Sequence, residues 1–207
     1  MTTNKHSILR LSKYKNSLNK LRSLGFKKVF SDNLADAAGV TPAQVRKDFS
    51  QFGISGNKRG GYSVEELVEN LNRVLGKDRV QNVIIIGTGN IGSALIKYKG
   101  FEKEGIRIVG AFDIDAAKLN PQNHIPILHL DEMPDFIHLN NVKIAIIAVP
   151  DIFAQSVFDI AVEAGVKGFL NFSPVRLRGP EDVILNNVDF YAELEKIIYF
   201  VTALDRN

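Results

Sequence analysis

Gly87-Thr88-Gly89-Asn90-Ile91-Gly92 stands directly between the apolar run Val83 to Ile86 and the helical pattern Ser93-Ala94-Leu95-Ile96. This order of strand, glycine turn and helix narrows the possible folds more than any other feature of the chain. Gly87 permits the tight turn, Gly89 lets a backbone approach a pyrophosphate, and Gly92 allows the helix to pack closely on the strand. Asp113 stands at the end of the next apolar run, where a carboxylate can accept hydrogen bonds from an adenosine ribose. The acidic corner Asp113-Ile114-Asp115, with no arginine beside it, repels a 2′-phosphate, so NAD(H) is expected in preference to NADP(H).

Further apolar runs of strand length, Ile106 to Phe112, Ile144 to Val149 and Val166 to Phe172, alternate with helical patterns. Unbroken apolar strands separated by helices imply an α/β fold with a doubly wound parallel sheet covered on both faces. In such a sheet the strand ends face the ligand crevice. These are expected near Leu128, at Val149-Pro150 and at Asn171-Phe172-Ser173-Pro174.

The part of the chain before Val80 reads differently. Leu11, Tyr14, Leu18 and Leu21 recur at helical spacing behind a Ser7 cap, with Gly25 just past the end. A short helix follows Ser31 and stops at Gly39. Thr41-Pro42-Ala43-Gln44 then combines an N-cap, a proline at the first helical position and a glutamine placed to close a capping box. On this third helix Val45, Phe49 and Phe52 face the core and turn Arg46, Lys47 and Ser50 outward. Two helices joined by the tight Gly39-Val40 turn form a helix-turn-helix, whose second helix would present Thr41, Gln44, Arg46, Lys47 and Ser50 to a major groove. Gly56-Asn57-Lys58-Arg59-Gly60-Gly61-Tyr62 reads as the hairpin tip of a wing carrying two cations, and Ser63 with Glu66 opens a helix closed by Gly76.

Charge divides the chain at the same place. Residues 1–79 hold 15 Lys/Arg against 7 Asp/Glu, a net of +8, and residues 80–207 hold 11 against 16, a net of −5. A basic module joined to an acidic one suggests a polyanion partner for the first. The chain has no cysteine, so redox sensing would need a bound ligand rather than a thiol. The start MTTNKHSILRLSKYK lacks an apolar signal core, no apolar run reaches membrane-spanning length, and a cytoplasmic location is expected. His6, His124, His129 and His138 show no metal spacing, and no Walker lysine or GxSxG element is present, so neither a metal centre nor an enzyme is expected. A dehydrogenase needs a substrate domain and a proton-transfer group, and the stretch from Val80 to Asn207 leaves little room for them. The alternatives are a small NAD-dependent oxidoreductase with a basic dimerisation segment and a winged-helix regulator sensing another nucleotide-containing ligand.

These residues resemble the Rex family of redox-sensing transcriptional repressors. The likeness runs through Arg10-Leu11 and Tyr14, Thr41 to Phe49, Gly87 to Gly92, Ala111 to Asp115, Ala164 to Gly168, Leu170 to Leu177 and Asn187-Val188-Asp189. It implies a winged-helix domain over 1–79, a Rossmann domain over 80–188 and a dimerisation helix over 189–207 that is exchanged between subunits. It implies a homodimer that binds an inverted-repeat operator and leaves it when NADH replaces NAD⁺. Carried over by position, Arg46 and Lys47 contact DNA, and Gly87, Gly89, Gly92 and Asp113 hold the dinucleotide. Tyr98, on the helix after the glycine turn, joins Asp189 and Arg10 in linking nicotinamide state to the DNA-binding domain, and Phe190 reaches the partner's nicotinamide pocket. In relatives the wing's basic pair usually follows the first glycine directly. Here Asn57 intervenes, and Gly60-Gly61 leaves no bulky residue between them.

Overall fold

A computed structural model describes residues 5–56 and 60–204 of the chain. The chain divides into two compact units, residues 1–79 and 80–207.

In the first unit, helices α1 (Lys5–Ser23), α2 (Ser31–Ala38), α3 (Pro42–Gln51) and α4 (Val64–Val74) surround one core. Leu11, Tyr14 and Leu18 of α1 meet Val45 and Phe49 of α3 and Leu67 and Leu71 of α4, all buried. Each such side chain contributes about 1.5 to 3 kcal/mol by leaving water. Tyr14 and Tyr62 both pack edge-on against Phe49, with ring centres 5.5 and 5.2 Å away. The Thr41 side chain accepts from the Gln44 amide at 3.2 Å, a cap worth about 1 kcal/mol. Gly39, with φ +68°, ends α2 in the left-handed region and lets the chain reverse into α3.

Three details of this unit differ from the sequence reading. Ser7 lies inside α1, buried, rather than capping it. The Gln44 side chain does not close a capping box; it reaches forward one turn to Asp48. The wing strand β2 (Tyr62–Ser63) pairs antiparallel with β1 (Lys28–Val29), a strand before α2 that the sequence did not announce. Lys58 and Arg59 lie outside the described residues.

In the second unit, strands β3 (Gln81–Ile86), β4 (Ile106–Asp113), β5 (Ile127–His129), β6 (Ile144–Ile147), β7 (Gly168–Asn171) and β8 (Ile184–Asn187) form one parallel sheet in the order β5-β4-β3-β6-β7-β8. This is the doubly wound arrangement, with its reversal point between β3 and β6. Successive side chains of β3 serve opposite cores: Ile84 and Ile86 join the layer under α7 (Met133–Leu139) and α8 (Asp151–Glu163). Val83 and Ile85 join the layer under α5 (Asn90–Ile96) and α6 (Gly100–Lys103). That double burial is why the run is apolar at every position. β8 was not anticipated; as an exposed edge strand of sequence Ile-Leu-Asn-Asn it carries no such run.

The last helix, α9 (Phe190–Leu204), contains no buried residue. Leu194, Ile197, Ile198, Tyr199, Phe200, Val201 and Leu204 are all more than half exposed. No helix among the described residues is long and apolar enough to cross a membrane, and no three of their His, Asp or Glu side chains cluster as metal ligands.

Candidate functional site

The glycine turn lies at the reversal point of the sheet, where the ends of β3 and β6 abut. Gly87 has φ +94°, and a Cβ there would meet the Ala148 carbonyl oxygen at 2.6 Å and the Val149 side chain at 2.7 Å. At Gly92 a Cβ would overlap the Gly87 carbonyl oxygen, so the first turn of α5 rests on the glycine turn itself. Gly89, by contrast, faces open space and is exposed, which leaves its backbone approachable. Thr88 is buried, and Asn90 and Ile91 are exposed on the first turn of α5, whose amides have no partner within the helix.

Asp113 ends β4 beside this turn and is only 8% exposed. Its Oδ2 accepts from the Thr88 amide (2.8 Å), the Thr88 hydroxyl (2.6 Å) and Lys118 Nζ (3.2 Å), and its Oδ1 accepts from the Asp115 amide (3.0 Å). Burial alone would raise its pKa; the Thr88 hydroxyl, the Asp115 and Thr88 amides and Lys118 outweigh burial and hold it at about 2. The carboxylate therefore stays ionised and locks the glycine turn to β4. Ile114 is exposed at the rim of the same corner. The sequence reading weighed only arginine as a cation here, whereas Lys118 lies near both Asp113 and Asp115, the latter at 3.8 Å. Two carboxylates against one ammonium still leave the corner with a net charge of −1.

Because the folded pKa of Asp113 lies below its ordinary 3.8, the ionised form stabilises the native state above that pH, and the contribution fades as pH falls through about 2. The difference corresponds to roughly 2 kcal/mol. Thermal unfolding of the wild type should lose its margin over Asp113→Asn as pH drops from 5 toward 2; a margin independent of pH in that window would contradict the assignment.

Other strand ends play different parts. Val149 is half-buried and Pro150 exposed after β6. Asn171 is fully buried, its amide donating to the Ser173 and Val175 carbonyls and to Asn187 Oδ1, while its Oδ1 accepts from the Ser173 amide. The Ser173 hydroxyl donates to the Val149 carbonyl. Asn171 and Ser173 thus brace the ends of β6, β7 and β8, and Pro174 is exposed beyond them. Phe172 stacks on Phe190 of its own chain, with ring centres 5.8 Å apart. Asp189 caps α9, its Oδ1 accepting from the Ala192 amide. Tyr98 lies just past the end of α5 rather than on it, 60% exposed and edge-on to Phe101 at 5.0 Å.

In the first unit, α3 presents Thr41, Arg46, Lys47 and Ser50 to solvent, with Gln44 half-buried among them. Arg46 donates to the Ser31 hydroxyl at 2.9 Å across the helix turn. Arg10 is held by Asp48, which the sequence reading did not single out: Nε and Nη2 each lie 2.6 Å from one of its carboxylate oxygens. Tyr14 Oη (2.9 Å) and Gln44 Nε2 (2.8 Å) complete the set around Asp48, which is 1% exposed. A buried acid on a basic helix was the available signal in the sequence.

Known proteins resemble both units at once. Residues 5–50 match the family model described as "Putative DNA-binding protein N-terminus", and residues 78–175 match the "CoA binding domain" model. The redox-sensing transcriptional repressor Rex of Carboxydothermus hydrogenoformans is 42% identical over 93% of each chain. Among solved structures, RSP in complex with β-NAD⁺ and operator DNA aligns with TM-score 0.91 and 36% identity, covering 99% of this chain and 95% of that one. RSP in complex with β-NADH aligns with TM-score 0.86 over 99% and 97%. With identity at this level along almost its whole length, the chain belongs to the Rex family of redox-sensing transcriptional repressors.

Proposed function

We propose that this chain is a homodimeric repressor whose winged helix (1–79) binds an inverted-repeat operator, whose Rossmann unit (80–188) binds NAD(H), and which releases the operator when NADH is bound. The observation that carries this reading is the similarity of the chain, over 99% of its length, to one repressor solved both with NAD⁺ and operator DNA and with NADH. Its place of action is the cytoplasm, where operators and the nicotinamide pool meet.

The crevice suits a dinucleotide. Gly89 leaves its backbone open, Gly87 and Gly92 hold the turn against β6 and α5, and Asp113 and Asp115 keep the ribose corner negative. Gly87 to Gly92, Val149-Pro150 and Phe172 to Pro174 would line the site, with Asp113 and Ile114 at the ribose end and Tyr98 and the partner's Phe190 nearer the nicotinamide. Asn171 serves this site as a brace. The bound dinucleotide supplies the redox signal. NADH and operator then oppose each other to the same degree, whichever binds first, because each favours a different dimer state.

Half-sites one helical turn apart require reading helices about 34 to 36 Å apart, so a small subunit rotation is enough to break simultaneous contact. Residues 189–207, with the apolar α9 at their centre, supply the dimer contact. Tyr98, Asp189 and Arg10 couple the units; for Arg10 this means exchanging Asp48 for a second acceptor. On DNA, Arg46 reads bases, Lys47, Ser50 and Thr41 hold phosphates, Gln44 borders the groove, and Lys58 and Arg59 of the wing add positive charge.

The competing oxidoreductase reading expects turnover. Arg46→Ala should weaken operator binding about tenfold or more while leaving NADH affinity within error, as gel shifts and NADH fluorescence titration would report. Steady NADH oxidation with a panel of carbonyl substrates, or an Arg46→Ala variant that binds operator normally, would overturn the proposal.

A further inference from the structure

We infer that Asp48 is a positioning residue for operator reading: by tying α3 to α1 it sets the rotation of α3 about its own axis, and so decides which side chains reach the bases. The inference rests on the DNA-reading role proposed for α3. Asp48 follows Lys47 directly, yet it points into the unit while Lys47 points out. Four donors converge on it. Oδ2 takes Arg10 Nε and Tyr14 Oη, and Oδ1 takes Arg10 Nη2 and Gln44 Nε2.

Every partner donates, so only a group that accepts at both of its atoms fits. A carboxylate does; an amide of the same shape would turn an NH₂ toward two of the donors. The tie is also directional. Arg10 and Tyr14 stand one turn apart on α1, and the side-on guanidinium meets both carboxylate oxygens in one plane, which resists twisting as well as sliding. Gln44, one turn before Asp48, extends the tie along α3.

Rotation matters because the tips of α3 side chains stand about 5 to 6 Å from the helix axis, so a 20° turn moves them about 2 Å. That is enough to lose a base-edge hydrogen bond, whose length is confined to about 2.7 to 3.2 Å. Attraction between Lys or Arg and phosphates depends on charge over a longer range and tolerates such a shift. Loss of Asp48 should therefore erase discrimination between sequences while sparing general DNA affinity. A purely structural residue would lower stability and both affinities together.

The test uses the full chain, an inverted-repeat duplex enriched from random DNA on the wild type, and a scrambled duplex at the same salt. Asp48→Asn should lower affinity for the enriched duplex at least about tenfold and leave affinity for the scrambled duplex unchanged or slightly raised by the lost negative charge. Tyr14→Phe, which removes one donor and little volume, should lower the enriched-to-scrambled ratio about threefold. A wild-type ratio in Asp48→Asn overturns the inference. So does a parallel fall of both affinities, which would make Asp48 structural only. If circular dichroism shows Asp48→Asn unfolded, Tyr14→Phe decides alone, and a wild-type ratio there also overturns it. A wild type that enriches no duplex rejects the DNA-reading role of α3 itself, and the inference falls with it.

Discussion

Deleting residues 189–207 is expected to leave a folded chain that no longer dimerises and that binds operator at least about a hundredfold more weakly. The helix α9 belongs to none of the three buried clusters of its own chain, so its loss leaves them intact. What it removes is an apolar surface, Leu194, Ile197, Ile198, Phe200, Val201 and Leu204, that water disfavours and that a second copy can cover. A dimer on an inverted repeat gains its second half-site contact intramolecularly, worth about 10² to 10⁴ in affinity. Sedimentation and gel shifts measure both effects. A truncated chain that stays dimeric would show that another surface joins the subunits.

Gly92→Ala is expected to raise the NADH dissociation constant at least about tenfold while leaving operator binding intact, giving a repressor that no longer responds. The added Cβ would overlap the Gly87 carbonyl oxygen. The clash must push the first turn of α5 away from the glycine turn or distort Gly87, and Gly87 is itself confined by the Ala148 carbonyl and Val149. Either movement displaces the first-turn amides of α5 that a pyrophosphate would use, and a displacement of about 1 Å exceeds what such hydrogen bonds tolerate. Fluorescence titration with NADH would check it; unchanged affinity would mean that the turn does not hold the dinucleotide.

The parts of this molecule that were legible in the sequence are those whose physics is local or periodic. Ile84 and Ile86 alternate with Val83 and Ile85 between two cores, so β3 is apolar from Val83 to Ile86 and announces a covered parallel strand. Thr41 and Ser63 cap helices through bonds to residues three places on, and Gly39 and Gly76 stop helices through positive φ, all within one turn of chain. The glycine turn and Asp113 were readable together because the fold fixes their spacing. What escaped the sequence depends on distant partners. Asp48 meets Arg10 from 38 residues away, and Gln44 gives up its capping role because that carboxylate is there. The edge strand β8 pairs on one side only and needs no apolar run, and the short β1 finds β2 only after α2 and α3 have intervened in the chain. Lys118 reaches Asp113 through a turn of 3-10 helix that brings it back along the chain.

The most direct test of the coupling is an operator-binding isotherm at fixed salt, repeated over rising NADH with occupancy of the Rossmann crevice followed in the same samples by fluorescence. Operator affinity should fall in step with occupancy and level off once the crevice is full, with NAD⁺ producing a much smaller fall. Operator complexes that persist undiminished at full NADH occupancy would contradict it.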